Sequence, residues 1–218
     1  MPSSPLSFDM SRSFSRSTGS SSMQTLLYLI GSFVVALVLG ISSAQYMIET
    51  GSPLTTRRGG PWVSWVSEAN PNADHYTKAH LARSGRFPLA GTMARYFIAR
   101  TDSSGDELLS TCEYVVQGEG LNARWWSIAL YDENGTLIDN PSQRFSFNSS
   151  ETIRRSNGTY RIHLAKNARP ENWLPTGGGP ERGLMLMLRA YSPRDTDAFG
   201  SGRFLDDQLP KIERLQCE

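Results

Sequence analysis

Residues 122–141 read NARWWSIALYDENGTLIDNP, and no other stretch of the chain constrains the architecture as tightly. A tandem tryptophan opens an apolar run. Trp126, Ile128 and Leu130 alternate with Trp125, Ser127, Ala129 and Tyr131. Successive strand residues point to opposite faces, so both faces here are largely apolar, as in a strand covered on two sides. Asp132 to Gly135 is a polar turn, Leu137-Ile138 a second apolar pair, and Asp139-Asn140-Pro141 a stop. The segment therefore predicts a hairpin whose first arm lies inside a sheet.

Outward from this hairpin the pattern stays β. Further strands are expected over Tyr96–Arg100, Cys112–Gln117, Arg144–Phe147, Thr152–Arg155, Thr159–Leu164 and Leu184–Ala190. Ser104-Gly105, Asn134-Gly135 and Asn157-Gly158 supply turns at the spacing of an antiparallel sheet. The economical solution is a mainly β fold, an antiparallel β-sandwich. Tyr160, Ile162 and Leu164 would face its core, with Arg161 and His163 on the wet side. One short soluble helix is expected at Ala73–Ser84, capped by Asn72, with Tyr76, Ala79, His80 and Arg83 on one face and Gly85 ending it. Asn172 to Gly179 (NWLPTGGG) reads as a connecting loop, since it lacks the Lys-Ser/Thr of a phosphate loop. Asp206 to Glu218 reads as a short closing helix carrying Leu209, Ile212 and Leu215.

The N-terminal part is different in kind. Residues 1–22 are Ser-rich and aperiodic, the signature of a disordered cytoplasmic tail. Met23, immediately before the apolar run, is an alternative start. Leu26 to Tyr46 carries no charge, and as a helix it spans about 32 Å, close to the hydrocarbon thickness of a bilayer. A single transmembrane helix is expected over residues 23–48, followed by a linker over 49–60 and the β domain over 61–218. Arg12 and Arg16 precede the span and Glu49 follows it, which favours a cytoplasmic N-terminus and a domain exported from the cytoplasm. Ser42-Ser43-Ala44 resembles a signal-peptidase site, but the apolar stretch exceeds the core of a cleavable signal, so a retained anchor is preferred.

Charge and composition exclude several functions. Twenty-two Lys+Arg against 21 Asp+Glu give no basic excess for nucleic acid. Cys112 and Cys217 are far apart, and His75 and His80, five apart, do not stack on one helix face, so no metal or cofactor is expected. In an oxidising compartment Cys112 and Cys217 form one long-range disulfide, with two unrelated thiols as the alternative. Asn134, Asn148 and Asn157 sit in Asn-X-Ser/Thr sequons, but two of these are ordinary Asn-Gly turns.

Five blocks together resemble one bacterial family: HYTKAHLARSGRFPL (75–89), CEYVV (112–116), ARWWSIALYDENGTLIDNPSQRFSF (123–147), RPENWLPTGG (169–178) and the closing LP-x-I-x-R-x-x-C (209–217). The chain is similar, from about Gly40 onward, to the family catalogued as domain of unknown function 1214, in its short membrane-anchored form. That resemblance implies a mainly β fold and a partner: in larger members the module follows a sister domain of unknown function 1254, which accompanies the short form as a separate protein. It carries over no reaction and no catalytic residue. The polar and aromatic members of the blocks around Trp125 and Trp173 remain as candidate ligand-binding groups: Arg124, Tyr131, Asn140, Arg144 and Trp173, with Asp132 beside them. Turn roles account for Asp132 and Asn140 without chemistry, whereas Arg144 can fork a carboxylate or pair with Asp139. A membrane-anchored module binding a partner protein or an envelope ligand is therefore the expected function. An envelope hydrolase with a site near Arg144 and Trp173 is the alternative.

Overall fold

The computed structural model describes residues 20–68, 70–85, 88–90, 93–193 and 208–217. The tail expected over residues 1–22 lies, up to residue 19, outside them. The chain divides into two compact units, Met1–Gln45 and Tyr46–Glu218.

The first unit is helical. Helix α1 runs Ser20–Thr50, and its Ser22–Thr50 portion is long and apolar enough to cross a membrane, with none of it buried by protein. Leu26, Phe33 and Leu39 stay more than half exposed, apolar surface that water would disfavour and lipid would not.

In the second unit, residues 51–60 are no spacer. The last turn of α1 ends at Gly51, whose φ of 74° is the left-handed value that glycine allows, and Gly51 N–H donates back to Met47 O. Strand β1 (Thr56–Gly59) then pairs with β2 (Trp62–Trp65). Helix α2 spans His75–Ser84, and Gly85 ends it at φ 62° as expected. Its cap is Asp74 instead of Asn72: Asp74 Oδ1 accepts the Thr77 N–H at 2.9 Å, the spacing a cap requires, while Asn72 is held in the preceding turn by Asn70. Of the residues expected to share a face of α2, Ala79 and His80 are half buried and Tyr76 and Arg83 exposed. Thr77 is buried, Tyr76 is exposed, and the His80 ring stacks on Trp65 at 4.1 Å. His80 Nδ1 lies 2.8 Å from Ile48 O and Arg83 pairs with Glu49 at 3.0 Å, so α2 fastens the final turn of α1 within this unit.

The remaining strands are β3 (Ala94–Ala99), β4 (Cys112–Gly118), β5 (Ala123–Asp132), β6 (Ser146–Asn148), β7 (Tyr160–Ala165), β8 (Asn172–Pro175), β9 (Leu184–Pro193) and β10 (Lys211–Cys217). They form a six-stranded sheet, β1-β2-β3-β9-β5-β6, and a four-stranded sheet, β10-β4-β7-β8. Trp126, Ile128 and Leu130 of β5 enter one core with Phe97, Leu186 and Leu188 of their own sheet and with Tyr114, Val116, Ile162, Leu164, Leu174 and Ile212 of the other. The two sheets thus share one buried face, a mainly β sandwich. Trp126 stacks on Tyr160 at 4.8 Å across the gap between them. The outward residues Ser127 and Ala129 of β5 are buried as well, so the strand is covered on both faces. It stands between β9 and β6, one place in from the sheet edge.

Three expectations are corrected. The segment at Asn172 is a strand, and β8 pairs with β7 in parallel, so the smaller sheet is mixed. The chain returns through residues 166–171, and Glu171 takes a left-handed φ of 66° to complete the return. The closing segment is strand β10, antiparallel to β4. A bulge between Arg214 and Gln216 leaves Leu215 half exposed, and Cys217 lies opposite Cys112, joined to it by a disulfide. Leu209, Ile212 and Leu215 have helical spacing, but only Ile212 among them is fully buried, so no apolar helical face exists there to bury. Residues 152–155 hold a single bridge, Arg154 to Tyr160, and Arg144 precedes β6 without joining it.

Candidate functional site

Strands β6 and β8 are the edges of the two sheets on the same side of the sandwich. Between them opens a groove of ≈ 540 Å³, lined by residues 142–148 together with Glu151, Ile153, Glu171 and Asn172. Two buried asparagines shape it. Asn140, 4 % exposed, accepts the Arg144 N–H through Oδ1 and donates through Nδ2 to Arg144 O, each at 3.1 Å. Asn172, fully buried, accepts the Ile153 N–H at 2.8 Å and donates to Ile153 O at 3.0 Å and Arg161 O at 2.8 Å. Each amide mimics a strand partner for one groove residue, and that pins the backbone on both walls.

The charges in the groove are unequally engaged. Glu171 pairs with Arg155 at 2.8 Å, and the hydrogen bond to Arg155 holds its carboxyl below the usual range. Glu151 Oε1 accepts the Asn148 N–H at 3.0 Å. Arg144 is exposed, its guanidinium 5.1 Å from the centre of the Phe147 ring, and among the described residues no carboxylate lies within ion-pair distance of it, Asp139 included.

The other candidates are dispersed. Tyr131 lies on the outer face of the larger sheet, where its hydroxyl accepts from Arg189 at 2.8 Å. Trp173 lies on the outer face of the smaller sheet, its indole N–H donating to Ala165 O at 2.8 Å. Arg124 is exposed near the start of β5. Asp132 organises the hairpin turn by accepting the Asn134 and Thr136 N–H groups. The structure therefore brings Asn140 and Arg144 together and separates the remaining four from them. Beside Trp173, His163 is half buried, and desolvation pushes its imidazole below the usual 6.5 against the opposing charge of Glu171. Glu113 on the same face pairs with Arg169. Among the described residues no cluster of His, Cys, Asp and Glu could hold a metal, and no histidine lines the groove to serve a serine as base.

Asn172, Ile153 and Glu171 are groove residues that the sequence reading missed. Asn172 does sit in the NWLP block, but a fully buried amide and an exposed one are written identically.

No curated protein is matched by this sequence. Among solved structures, the VPA0106 protein of Vibrio parahaemolyticus is similar at 25% identity and a TM-score of 0.53, over 66% of this chain and 36% of that one. An uncharacterized protein of Burkholderia cenocepacia aligns at 18% identity and a TM-score of 0.36, over 57% of this chain and 30% of that one. The chain thus spans about a third of the length of the solved structures it matches. Residues 93–195 match the family described as protein of unknown function, DUF1214. That match takes in β3 to β9, and with them most of the shared core and both walls of the groove, so the chain carries a domain of the DUF1214 family over residues 93–195.

Proposed function

We propose that this chain is a single-pass anchored module of the inner membrane whose β-sandwich lies in the periplasm and binds a partner protein or an envelope ligand through the groove between β6 and β8. The observation that carries this reading is the groove itself: both walls are fixed by buried amides, while Arg144, its guanidinium free of any carboxylate among the described residues, faces solvent. Rigid walls lower the ordering cost of binding, which suits recognition. The apolar exposed α1 supports the anchor, and the arginines before it support the orientation. The Vibrio relative has nearly two thirds of its length outside the shared region, which fits a module that works beside further chain. Here that role falls to a separate sister-module protein of the domain of unknown function 1254 type. The hydrolase reading is weaker, because Trp173 faces away from Arg144 and no nucleophile–base pair lines the groove among the described residues.

The test is affinity purification of the tagged full-length protein from its own membranes in mild detergent. A sister-module protein at comparable abundance supports the reading, and turnover of an envelope substrate by this chain alone would displace it in favour of an enzyme.

A further inference from the structure

Building on that reading of the groove, we infer that its ligand is a monocarboxylate with a compact apolar body, held by the Arg144 fork on one wall and by Ile153 and Phe145 beside it. Three observations converge on this chemistry.

The first is charge. Three ionisable side chains line the groove, and the two carboxylates already have partners, Arg155 for Glu171 and the Asn148 N–H for Glu151. Arg144 is the group left to receive an anion, and a planar guanidinium matches a planar carboxylate with two parallel hydrogen bonds. A dianionic phosphate would bring a second negative charge toward Glu151 and Glu171, so one carboxylate is the better balanced occupant.

The second is apolar surface. Ile153 is 60% exposed and Phe145 half buried, both at the groove, where a ligand's hydrocarbon would cover them. Ile153 is kept at that exposure by Asn172, which takes both its backbone N–H and its carbonyl.

The third is the state of the sheet edge. Leu130 N–H donates to Phe145 O and Ser149 N–H to Trp126 O, in step with the Ile128–Phe147 pair, so β6 directs the backbone groups of Arg144, Ser146 and Asn148 outward. Those of Arg144 are taken by Asn140. Those of Asn148 are taken by Glu151 Oε1 and by Thr152. Ser146 is left, too short a run to template an added strand. The groove therefore reads side-chain chemistry and rejects β-augmentation.

The experiment is calorimetric titration of the full-length protein in mild detergent with four probes: 3-phenylpropanoate, its amide, N-acetyl-Ala-Phe with a free C-terminal carboxylate, and the C-terminal amide of that peptide. Inorganic phosphate serves as a fifth. Both acids binding, the amides and phosphate failing, and R144Q weakening the acids by about tenfold or more is the expected result. R144K should recover part of the loss, since it restores charge without the fork. Binding of the peptide acid alone would assign the site to protein C-termini, and binding of both acids to free organic acids as well. Near-UV dichroism of R144Q establishes that its fold is unchanged. Equal binding of acid and amide, equal binding by R144Q, or no binding of either acid would overturn the inference. Any of these beside a co-purifying partner would leave the anchored-module reading standing, so the two can fail separately.

Discussion

Tyr160 shows most plainly how a single side chain is used here. Its ring stacks on Trp126 at the centre of the sandwich, yet its hydroxyl is buried and finds no hydrogen-bond partner among the described residues. Gly118 makes room for it, since a Cβ there would lie 2.9 Å from the hydroxyl oxygen. Burial pushes the phenol well above its ordinary range, so it stays neutral. Removing a buried hydroxyl that bonds to nothing relieves its desolvation, so Tyr160→Phe should leave stability unchanged or raise it by up to about 1 kcal/mol in thermal unfolding. A loss of several degrees would mean that the hydroxyl has a partner. Glu171 gives a prediction with a pH sign. Its folded-state pKa lies below the usual 4.5 because Arg155 bonds the ionised form, so its contribution is full above 4.5 and disappears as pH falls through the lower folded value. Wild type should exceed Glu171→Gln in stability at pH 7 by no more than about 1 kcal/mol, the pair being partly exposed, and the two should converge in acid. A gap that persists undiminished in strong acid, where the carboxyl is protonated in both the folded and the unfolded chain, would assign the effect to packing. At this scale the sequence was informative about charge and silent about burial. Arg144 stood out as a candidate from its block. Asn172 did not, because its role depends on Ile153 and Arg161 arriving beside it in three dimensions.

At the scale of elements, long periodic segments were legible and short ones were not. The alternation in β5 and β7 predicts their facing correctly, down to Trp126 and Ile162 in the core. Strand β8 has four residues and ends at Pro175, too short for alternation to register, and its parallel pairing follows from the return through Glu171. Strand β10 misleads for a different reason. Its leucines and isoleucine fall at helical intervals, while its actual constraints are pairing to β4, the burial of Ile212, and the disulfide from Cys217 to Cys112. Nearly all of its other side chains are exposed, so little apolar burial holds its far end. The disulfide closes a sequence separation of 105 residues, and its loss should cost about 2–5 kcal/mol. Cys217→Ser should therefore unfold at a clearly lower temperature than wild type, and reduction of wild type should reproduce the change. An unfolding temperature indifferent to reductant would show that β10 is held by pairing alone.

For the whole molecule, the sandwich leaves one side open because its two sheets end in short edge strands, β6 and β8, that approach without pairing. The groove is the consequence of that mismatch, and the buried asparagines keep it from collapsing. The sequence announced the sandwich and the apolar helix, since both rest on periodicity and length. It could not announce the groove, which exists through the relation of segments that are distant in the chain. The central claim is that this groove is the working surface of a membrane-anchored module, and it is tested most directly in native membranes. A photo-crosslinking amino acid placed at Ser146, on the groove wall, should give a discrete adduct on the full-length protein, and R144Q should abolish it. The same substitution at Glu213, exposed on the opposite edge strand, should give none. No adduct at Ser146, or one that forms equally at Glu213, would contradict the account, while an adduct that ignores R144Q would remove only the role given to Arg144.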